Sequence, residues 1–377
     1  MKNCIERNEF FGKIIYDTIS NSIELEYRDI NLKEKQAHYL TGPTNVFLEL
    51  TSACNLHCKH CFNSSQKEDS ILALEFWKDV IDQLAKMKVF FVKITGGEPF
   101  LYPYFFDILN HLETANINYI IYTNGLFIQQ NIQKLIPLKH LLVIRVSLEG
   151  TREYNDQIRG SGVFDEVINA LILLDKYGIK NAINYTINRS NYSLLLNLEK
   201  YILHTCNLTT PIHIGLIKHA GNSLSNNDLC FWDNDEYKNV LKFIKHIVET
   251  SDLIEPLFML PEYYYEIYGK HFGCPAAQTS MVIKCNGTVV PCGLMPITEF
   301  TNCGNIQNIS LQNIWHGDKM NTFRNLKPPL KCISCKEYLL NCTGACRANA
   351  LNIYNNINGA DINCDVYKTS LARPRRK

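Results

Sequence analysis

The fold of this chain is decided by the stretch Leu50-Thr51-Ser52-Ala53-Cys54-Asn55-Leu56-His57-Cys58-Lys59-His60-Cys61. It places three cysteines within eight residues, directly after the largely apolar run 46–50. Iron–sulfur clusters ordinarily take four cysteine thiolates. Three thiolates at this spacing therefore predict a four-iron cluster whose fourth iron has no protein ligand and is open to a substrate or cosubstrate.

Short β-branched runs alternate with longer amphipathic runs on the C-terminal side of the cysteines. The predicted strands are 46–51, 90–95, 119–123, 142–147, 182–187 and 211–217, and the predicted helices are 72–87, 102–114, 163–177, 194–204 and 235–251. This alternation predicts an α/β fold with a parallel sheet built from right-handed crossovers. Six strands are too few for a closed eight-stranded barrel. We therefore expect a partial (β/α)6 barrel.

The informative residues follow the predicted strands at the point where each strand ends. Cys54 follows the first strand, Gly96-Gly97-Glu98-Pro99 the second, Asn124-Gly125 the third and Ser147-Leu148-Glu149-Gly150 the fourth. Ligands bind at the carboxyl ends of parallel strands in such folds. The sequence therefore predicts one site formed by these loops.

A second group of cysteines lies near the C-terminus. The chain has 15 cysteines, and its first residues lack the apolar core of a secretion signal. A cytoplasmic chain keeps its thiols reduced, so dense cysteines indicate metal binding rather than disulfides. The candidate ligands in this second group are Cys274, Cys292, Cys332, Cys335, Cys342, Cys346 and Cys364.

The overall charge disfavours a polyanion partner. Lys and Arg number 38 against 37 Asp and Glu, which gives a net charge of +1. The basic segment 373–377 is interpreted as a solvated tail, and no apolar run approaches the length of a membrane span. We therefore expect a cytoplasmic protein that binds neither nucleic acid nor membrane.

The triplet C-x3-C-x2-C resembles the signature of the radical S-adenosylmethionine (radical SAM) enzymes. In that family SAM chelates the open iron, and one electron cleaves it to methionine and a 5′-deoxyadenosyl radical. The resemblance implies a partial barrel in which Cys54, Cys58 and Cys61 hold the cluster. It also implies a set of residues around SAM, namely His60, Gly96, Gly97, Glu98, Asn124, Ser147 and Glu149, with Arg159 either pairing with its carboxylate or bracing the loop.

The second group of cysteines resembles the SPASM extension of peptide-modifying radical SAM enzymes. The family spacing is C-x9–15-G-x4-C, then C-x2-C-x5-C-x3-C, then C, and here the middle gap is six residues instead of five. The resemblance implies two auxiliary [4Fe–4S] clusters. The first would use Cys274, Cys292 and Cys346, with Cys285, Cys303 or no residue as the fourth ligand. The second would use Cys332, Cys335, Cys342 and Cys364.

Three domains are predicted on this basis: an N-terminal arm or hairpin at 1–43, the barrel at 44–255 and the SPASM domain at 256–377. Within the arm, Phe10–Asp17 resembles a hairpin segment of several peptide maturases. The tyrosine-rich segment 263–268 is interpreted as a packed helix between domains.

The resemblance implies maturation of a ribosomally made precursor peptide by a C–C cyclophane or thioether crosslink. Relatives that mature sulfatases carry an aspartate directly after the second SPASM cysteine, and Gly293 stands there in this chain. One alternative is synthesis of a small-molecule cofactor of the tetrapyrrole or quinone type. Another is a non-catalytic iron–sulfur or zinc protein, with a zinc ribbon at Cys332, Cys335, Cys342 and Cys346. The sequence assigns no catalytic residue.

The expected partners are the precursor peptide and an external electron donor such as a flavodoxin or ferredoxin. About forty residues precede the first barrel strand, which are too few for the winged leader-binding domain fused to some relatives. Recognition of a leader peptide would therefore use this short arm, the core of the enzyme or a separate leader-binding protein.

Overall fold

The computed structural model describes residues 3–27, 39–64, 71–257, 266–267, 274–336, 338, 342 and 344–364. Most of the strands form a ten-stranded sheet, and three more form a small antiparallel sheet. The strands of the large sheet are β4 (Asn45–Glu49), β5 (Phe91–Thr95), β6 (Asn118–Thr123), β7 (Leu141–Ser147), β8 (Asn181–Ile187), β9 (Ile212–Leu216), β10 (Ile254–Pro256), β11 (Ser280–Ile283), β12 (Thr288–Val290) and β13 (Gly304–Asn305).

The strands β4 to β9 lie side by side in sequence order and are parallel throughout. They match the six predicted strands to within two residues at each end, so the α/β fold with a six-stranded partial barrel is confirmed. Helices cover the outer face of the sheet, as right-handed crossovers require. They are α1 (Leu74–Lys86), α2 (Phe105–Thr114), α3 (Ile128–Leu135), α4 (Arg152–Arg159), α5 (Val163–Lys176), α6 (Leu195–Lys200) and α7 (Asn234–Thr250).

The apolar faces of the helices follow from their sequence period. In α1 the buried residues are Trp77, Val80, Ile81 and Leu84, which recur at the spacing of one helix face. Val46 and Leu48 of β4 are also fully buried and belong to the same hydrophobic core as this helix face. The main core therefore lies between the sheet and its outer helices, which leaves the inner face of the barrel for a site.

The sheet continues beyond the barrel at both edges. β10 pairs in parallel with β9, and β11 pairs in parallel with β4. β12 and β13 then add antiparallel strands next to β11. The cysteine-rich region thus begins within the same sheet as the barrel; the domain boundaries at 43 and 255 stay predictions.

The C-terminal part adds four short helices to this edge of the sheet, α8 (Leu311–His316), α9 (Asp318–Arg324), α10 (Leu330–Ile333) and α11 (Arg347–Tyr354). Trp315 of α8 is fully buried, and its indole nitrogen donates to the backbone oxygen of Leu40 at 2.8 Å. This region therefore packs directly on the segment that leads into the barrel.

The N-terminal sheet consists of β1 (Cys4–Glu9), β2 (Gly12–Asp17) and β3 (Ser22–Tyr27). The segment Phe10–Asp17 thus contains the first turn of this sheet and all of β2. Tyr16 stacks on Phe90, just before β5, with 5.0 Å between ring centroids. This contact fixes the N-terminal sheet against the start of the barrel strands.

Some sequence expectations differ from the structure or fall outside its described part. The helices α3 and α4 were not predicted, and the expected helix over 194–204 is α-helical only in α6 before a π-helical turn at Tyr201–Thr205. The expectations for 263–265, for 268 and for 373–377 lie outside the described residues. Among the residues that are described, no helix is both long and apolar enough to cross a bilayer.

Candidate active site

The carboxyl ends of the barrel strands open onto a cavity of about 420 Å³. Such a volume suits a ligand of nucleoside size. Eight of the predicted site residues lie on its wall, namely Cys54, Cys58, His60, Cys61, Gly96, Gly97, Asn124 and Ser147. The structure therefore brings together the loops that follow the first four barrel strands.

The three cysteines after β4 are close enough to influence one another electrostatically. Burial raises the pKa of the Cys54 thiol to about 11, and it also raises the pKa of Cys58. Because the thiolate is the ligand form of cysteine, these thiols ionise when a metal binds. Three soft sulfur donors on one wall fit three irons of a cluster.

The loop that carries these cysteines is held by the loop after β9. The backbone N–H of Asn222 donates to the oxygen of Cys61 at 2.8 Å, and its side-chain amide donates to the oxygen of Cys58 at 3.0 Å. Gly221 precedes it with φ of +59°, and a Cβ there would lie 2.3 Å from the Phe62 oxygen. The sequence reasoning missed Asn222; the turn-forming Gly-Asn pair after the sixth predicted strand was the available signal.

The Gly-Gly loop after β5 packs directly on the start of the cysteine loop. Gly97 N–H donates to the Thr51 oxygen at 2.7 Å, and Glu98 N–H donates to the Ala53 oxygen at 2.8 Å. A Cβ on Gly97 would lie 2.1 Å from that Ala53 oxygen, and one on Gly96 would lie 2.3 Å from the Thr51 oxygen. The glycines are therefore required for contact between two loops, in addition to lining the cavity.

Glu98 lies behind the cavity wall rather than on it. Its side chain accepts hydrogen bonds from Thr123 Oγ1 at 2.8 Å, from the Asn124 N–H at 2.8 Å and from the Phe100 N–H at 3.3 Å. Burial raises its pKa to about 7. Its contact with SAM stays a prediction; in the structure the carboxyl connects the loops after β5 and β6.

Asn124 lines the cavity and also braces the cysteine loop. Its side-chain amide donates to Asn55 Oδ1 at 2.7 Å, and its own Oδ1 accepts from the Leu126 N–H at 3.1 Å. Ser147, at the end of β7, lies on the cavity wall. Contacts from Asn124 and Ser147 to SAM stay predictions that their positions allow.

Glu149 is fully buried beneath the wall and joins two predicted site residues. Its carboxylate accepts from Arg159 Nη2, lies 3.2 Å from His60 Nε2 and accepts from the Thr186 N–H at 3.1 Å. Burial alone would raise the pKa of Glu149, but His60 and Arg159 together hold it below its ordinary value. Its direct contact with SAM stays a prediction.

Arg159, at the end of α4, connects this carboxylate to the cysteine triplet. Its Nη1 lies 3.7 Å from Cys58 Sγ, and the guanidinium also lines the cavity. Hydrogen bonds to ligand atoms orient them and tune the metal. Arg159 is thus placed both to brace the loop and to face a bound anion, the two roles that the sequence left open.

The residues Cys274, Cys292 and Cys346, assigned to the first auxiliary cluster, are brought together by the fold. Each of them lies within electrostatic range of at least one other, and burial raises the pKa of Cys274 to about 11. Lys218, on the cavity wall, faces this trio. Burial would lower the Lys218 pKa, but Cys346 and other nearby groups hold it above its ordinary value.

The surroundings of this trio are tied to the end of the barrel. Asp361 accepts from the Cys346 N–H at 3.0 Å and from Asn349 Nδ2 at 3.1 Å. Asn349 in turn accepts from the His219 N–H at 3.1 Å, directly after Lys218. The cavity and the auxiliary cysteines are thus joined through α11.

Cys303 is not brought to the trio. Its buried thiol has its pKa raised to about 12 by burial, and its charged neighbours within the described residues are Arg324 and Lys319. Cys285 lies in the turn between β11 and β12 and is half-buried. The fourth position of this cluster, for which the sequence offers Cys285, Cys303 or no residue, stays a prediction.

The second auxiliary set is described in part. Cys332 and Cys342 both lie within electrostatic range of Tyr338 and Arg347. Cys335 follows Cys332 in one turn, with its N–H donating to the Cys332 oxygen at 3.1 Å. The membership of Cys364 stays a prediction.

The cysteine groups are not arranged for single ions. In the described ranges, no three Cys, His, Asp or Glu side chains converge on one point as a zinc ion requires. A four-iron cube holds its thiolates farther apart than one ion does. The described geometry therefore gives no support to the zinc ribbon at Cys332, Cys335, Cys342 and Cys346.

Comparison with known proteins agrees with this arrangement. The sequence profile of the Radical SAM superfamily matches residues 48–191, and that of SPASM, an iron–sulfur cluster-binding domain, matches residues 274–336. Mycofactocin maturase MftC of Mycolicibacterium smegmatis is 27% identical over an alignment of 352 positions that covers 88% of this chain and 85% of that protein. AdoMet-dependent heme synthase of Methanosarcina barkeri is 26% identical over an alignment of 342 positions that covers 82% of this chain and 92% of that protein.

The fold is shared with a solved enzyme structure. Streptococcus suis SuiB bound to precursor peptide SuiA superposes with a TM-score of 0.77 at 18% identity, covering 96% of this chain and 98% of that chain. The two profile matches contain the cysteine triplet and four of the candidate ligands of the C-terminal group, Cys274, Cys292, Cys332 and Cys335. The donor sets fit [4Fe–4S] clusters, and the cavity fits SAM. The chain is therefore a radical SAM enzyme with a SPASM iron–sulfur cluster-binding domain.

Proposed function

We propose that this enzyme matures a ribosomally made precursor peptide and installs a C–C cyclophane or thioether crosslink. The observation that carries the proposal is the shape of the site: one cavity has the cysteine triplet on one wall and Lys218, which faces the first auxiliary trio, on another. Support also comes from the relatives, since MftC is a maturase and SuiB was crystallised with a precursor peptide.

The chemistry of crosslinking explains why two cysteine groups share one cavity. When bound, SAM and its cluster would supply a 5′-deoxyadenosyl radical able to take one hydrogen atom from the peptide. Closing a crosslink would then release one further electron and one proton. Lys218 lines the cavity and lies within electrostatic range of Cys346, so its charge would favour passage of that electron toward the auxiliary trio.

The residues of the chain supply positioning and exclusion of water. Leu56, Phe62, Leu257 and Leu294 contribute apolar surface to the cavity, which shields a radical from solvent. Arg159 and Ser147 present polar groups at the same wall. They are the groups that we expect to orient the carboxylate of SAM.

The proposal includes partners and a location. An external donor such as a flavodoxin or ferredoxin would deliver the first electron, and a separate leader-binding protein would present the precursor. The cytoplasm suits both, because reduced thiols and iron–sulfur clusters persist there.

The test uses enzyme reconstituted anaerobically with iron and sulfide, dithionite as the reductant, SAM, and the product of any short reading frame that lies next to this gene as the candidate precursor peptide. We expect about twelve irons per chain, from three four-iron clusters. We also expect a peptide product that has lost two hydrogen atoms, with the crosslink located by tandem mass spectrometry. Cys58→Ala should abolish 5′-deoxyadenosine formation, whereas Cys206→Ala, an isolated half-buried thiol, should leave it unchanged.

Other outcomes would point elsewhere. A peptide of unchanged mass but inverted stereochemistry would contradict crosslinking and favour epimerisation. Turnover of an iron porphyrin but of no peptide would favour the alternative that the similarity to heme synthase raises. A preparation replete with clusters that does not cleave SAM would contradict radical chemistry altogether.

A further inference from the structure

Three cationic side chains face the interior of the barrel from alternate strands: Lys93 on β5, Arg145 on β7 and His213 on β9. Each lies two positions before a residue of the cavity wall, respectively Thr95, Ser147 and Gly215. Successive side chains of a strand alternate between its two faces, so residues i and i+2 share a face. The three cations therefore form one layer directly beneath the floor of the cavity.

Aromatic contacts join this layer to the floor. Arg145 Nη1 donates to the Tyr122 hydroxyl at 2.7 Å, and its guanidinium carbon lies 5.3 Å from the Tyr122 ring centroid. Tyr122 itself lines the cavity. Lys93 Nζ lies 4.6 Å from the ring centroid of Phe47 on β4. Tyr122 thus connects the layer to the cavity.

The layer has few acidic partners. Within the described part of the chain, Lys93 and Arg145 have no carboxylate partner, and His213 lies 3.4 Å from the largely exposed Glu255. Glu49 and Glu149 of the barrel are already paired, with Lys284 at 2.9 Å and with Arg159, and Glu98 is held by Thr123 and Asn124.

Burial and the Arg145 guanidinium disfavour the charged forms of Lys93 and His213, which a bound anion would favour. Burial, assisted by Arg145, lowers the pKa of Lys93 to about 7 and the pKa of His213 to about 4. The buried atoms Arg145 Nε and His213 Nδ1 have no hydrogen-bond partner in the described structure. A buried donor without a partner is costly, and a ligand oxygen removes that cost.

Cation–π contact does not account for the layer by itself. Contact with an aromatic ring compensates a half-buried cation less fully than a carboxylate partner does. Apolar side chains at these three positions would pack the barrel interior more stably. A binding role explains why cations occupy them instead.

We propose that the layer formed by Lys93, Arg145 and His213 binds a carboxylate of the precursor peptide, either an Asp or Glu side chain or the C-terminus. The inference rests on the proposed function, because it names the chemistry that selects the peptide within the same cavity. The carboxylate would enter beside Tyr122 and accept hydrogen bonds from Lys93 Nζ and Arg145 Nε, which places the neighbouring peptide residue next to the SAM-binding wall.

The test begins with selection from a random 12-residue peptide library on the reconstituted enzyme with SAM. We expect the wild type to enrich peptides that contain Asp or Glu, and Lys93→Met and Arg145→Gln to lose that enrichment. The best peptide is then synthesised in three forms: unchanged, with its acidic residues replaced by Asn or Gln, and with a C-terminal amide. The form that binds about tenfold or more weakly identifies the carboxylate.

Controls separate loss of charge from loss of structure. Lys93→Arg keeps the charge and should retain the preference, whereas Lys86→Met removes an exposed lysine of α1 and should have no effect. The thermal unfolding midpoint of each variant reports whether it is folded, and Lys86→Met should also keep the wild-type cleavage of SAM without peptide. Because a buried ion replaced by an apolar residue is usually tolerated, we expect Lys93→Met to fold.

The outcomes also distinguish this inference from the proposed function. Peptides that bind with no acidic preference, or whose binding survives both substitutions, overturn the inference and leave the peptide maturase standing. Binding of no peptide at all, together with tight binding of an iron porphyrin, overturns both. A preference for acidic peptides that is lost in Lys93→Met and regained in Lys93→Arg supports both.

Discussion

Arg159 is the residue through which the loops after β4 and β7 are joined. It contacts Cys58 Sγ and pairs with Glu149, and both side chains of the pair are almost fully buried. Removing one partner of a buried pair leaves the other charge without compensation. Arg152 at the start of the same helix forms an exposed ion pair with Asp165 of α5. It provides a solvated pair with which the buried pair can be compared.

We expect Arg159→Gln to lower the free energy of unfolding by about 3 to 5 kcal/mol, because the buried Glu149 then loses its guanidinium partner. Arg152→Gln should cost less than about 1 kcal/mol, since that pair is solvated. Anaerobic denaturant unfolding of the two variants beside the wild type measures both. Equal losses would show that Arg159 has no bracing role.

Glu98 predicts a dependence of stability on pH. Burial raises its pKa in the folded chain to about 7, from an ordinary value of 4.5. The folded state therefore favours the protonated carboxyl. Its contribution is complete below about pH 4.5 and is lost as the pH rises through about 7, a change of about 3 kcal/mol. Relative to Glu98→Gln, the wild type should lose stability between about pH 5 and 8, as thermal unfolding at each pH would measure. If the stabilities of the wild type and Glu98→Gln changed with pH in the same way, protonation of Glu98 would not contribute to stability.

Glu98 and Glu149 show what the sequence could and could not predict about single residues. The motifs placed Glu98 and Glu149 at the correct ends of the correct strands, and the cysteines and Ser147 on the cavity wall. Whether a side chain lines a cavity or lies beneath it depends on partners far along the chain, such as Thr186 for Glu149. No local pattern encodes that choice.

At the scale of the elements, the position of the cysteine loop depends on its close contact with the Gly-Gly loop. Gly97→Ala would bring a Cβ to 2.1 Å from the Ala53 oxygen, so one of the two loops must shift. We expect the iron content to fall from about twelve to about eight per chain, because the SAM-binding cluster alone loses its geometry. Gly215→Ala, on β9, meets no atom within 4 Å and should keep the full content. Iron analysis of both variants measures this difference. An unchanged iron content in Gly97→Ala would show that the cysteine loop does not depend on the Gly-Gly loop.

Prediction of the elements succeeded where the apolar period was strong. The six barrel strands were found because their runs are short and β-branched. α4 was missed because its residues, Arg152–Arg159, are nearly all polar and it is fixed by tertiary contacts such as the buried Asn155. The pairing of β11 with β4 joins residues more than two hundred positions apart. The local period of apolar residues does not predict which distant strands pair.

At the scale of the whole molecule, that pairing makes the cysteine-rich region part of the barrel. Val46 and Leu48 of β4 are fully buried beside β11. A chain that ends at residue 257 would leave β4 as an exposed apolar edge, which is a site of aggregation. We expect this truncated chain to sediment as aggregates and to bind an apolar dye, whereas the full chain unfolds in one transition. A monomeric, folded truncation would show that the two regions are independent.

The hydrogen bonds from Asn222 to the cysteine loop have a consequence for the order in which the enzyme is assembled in the cell. The cysteines leave the ribosome more than 160 residues before Asn222, so for most of synthesis they lack the contacts that fix their loop. Early delivery of iron would meet an unformed site and exposed thiols. We therefore expect the assembly machinery to load the SAM-binding cluster only after the last barrel strand has docked, which makes cluster insertion a late step in biogenesis.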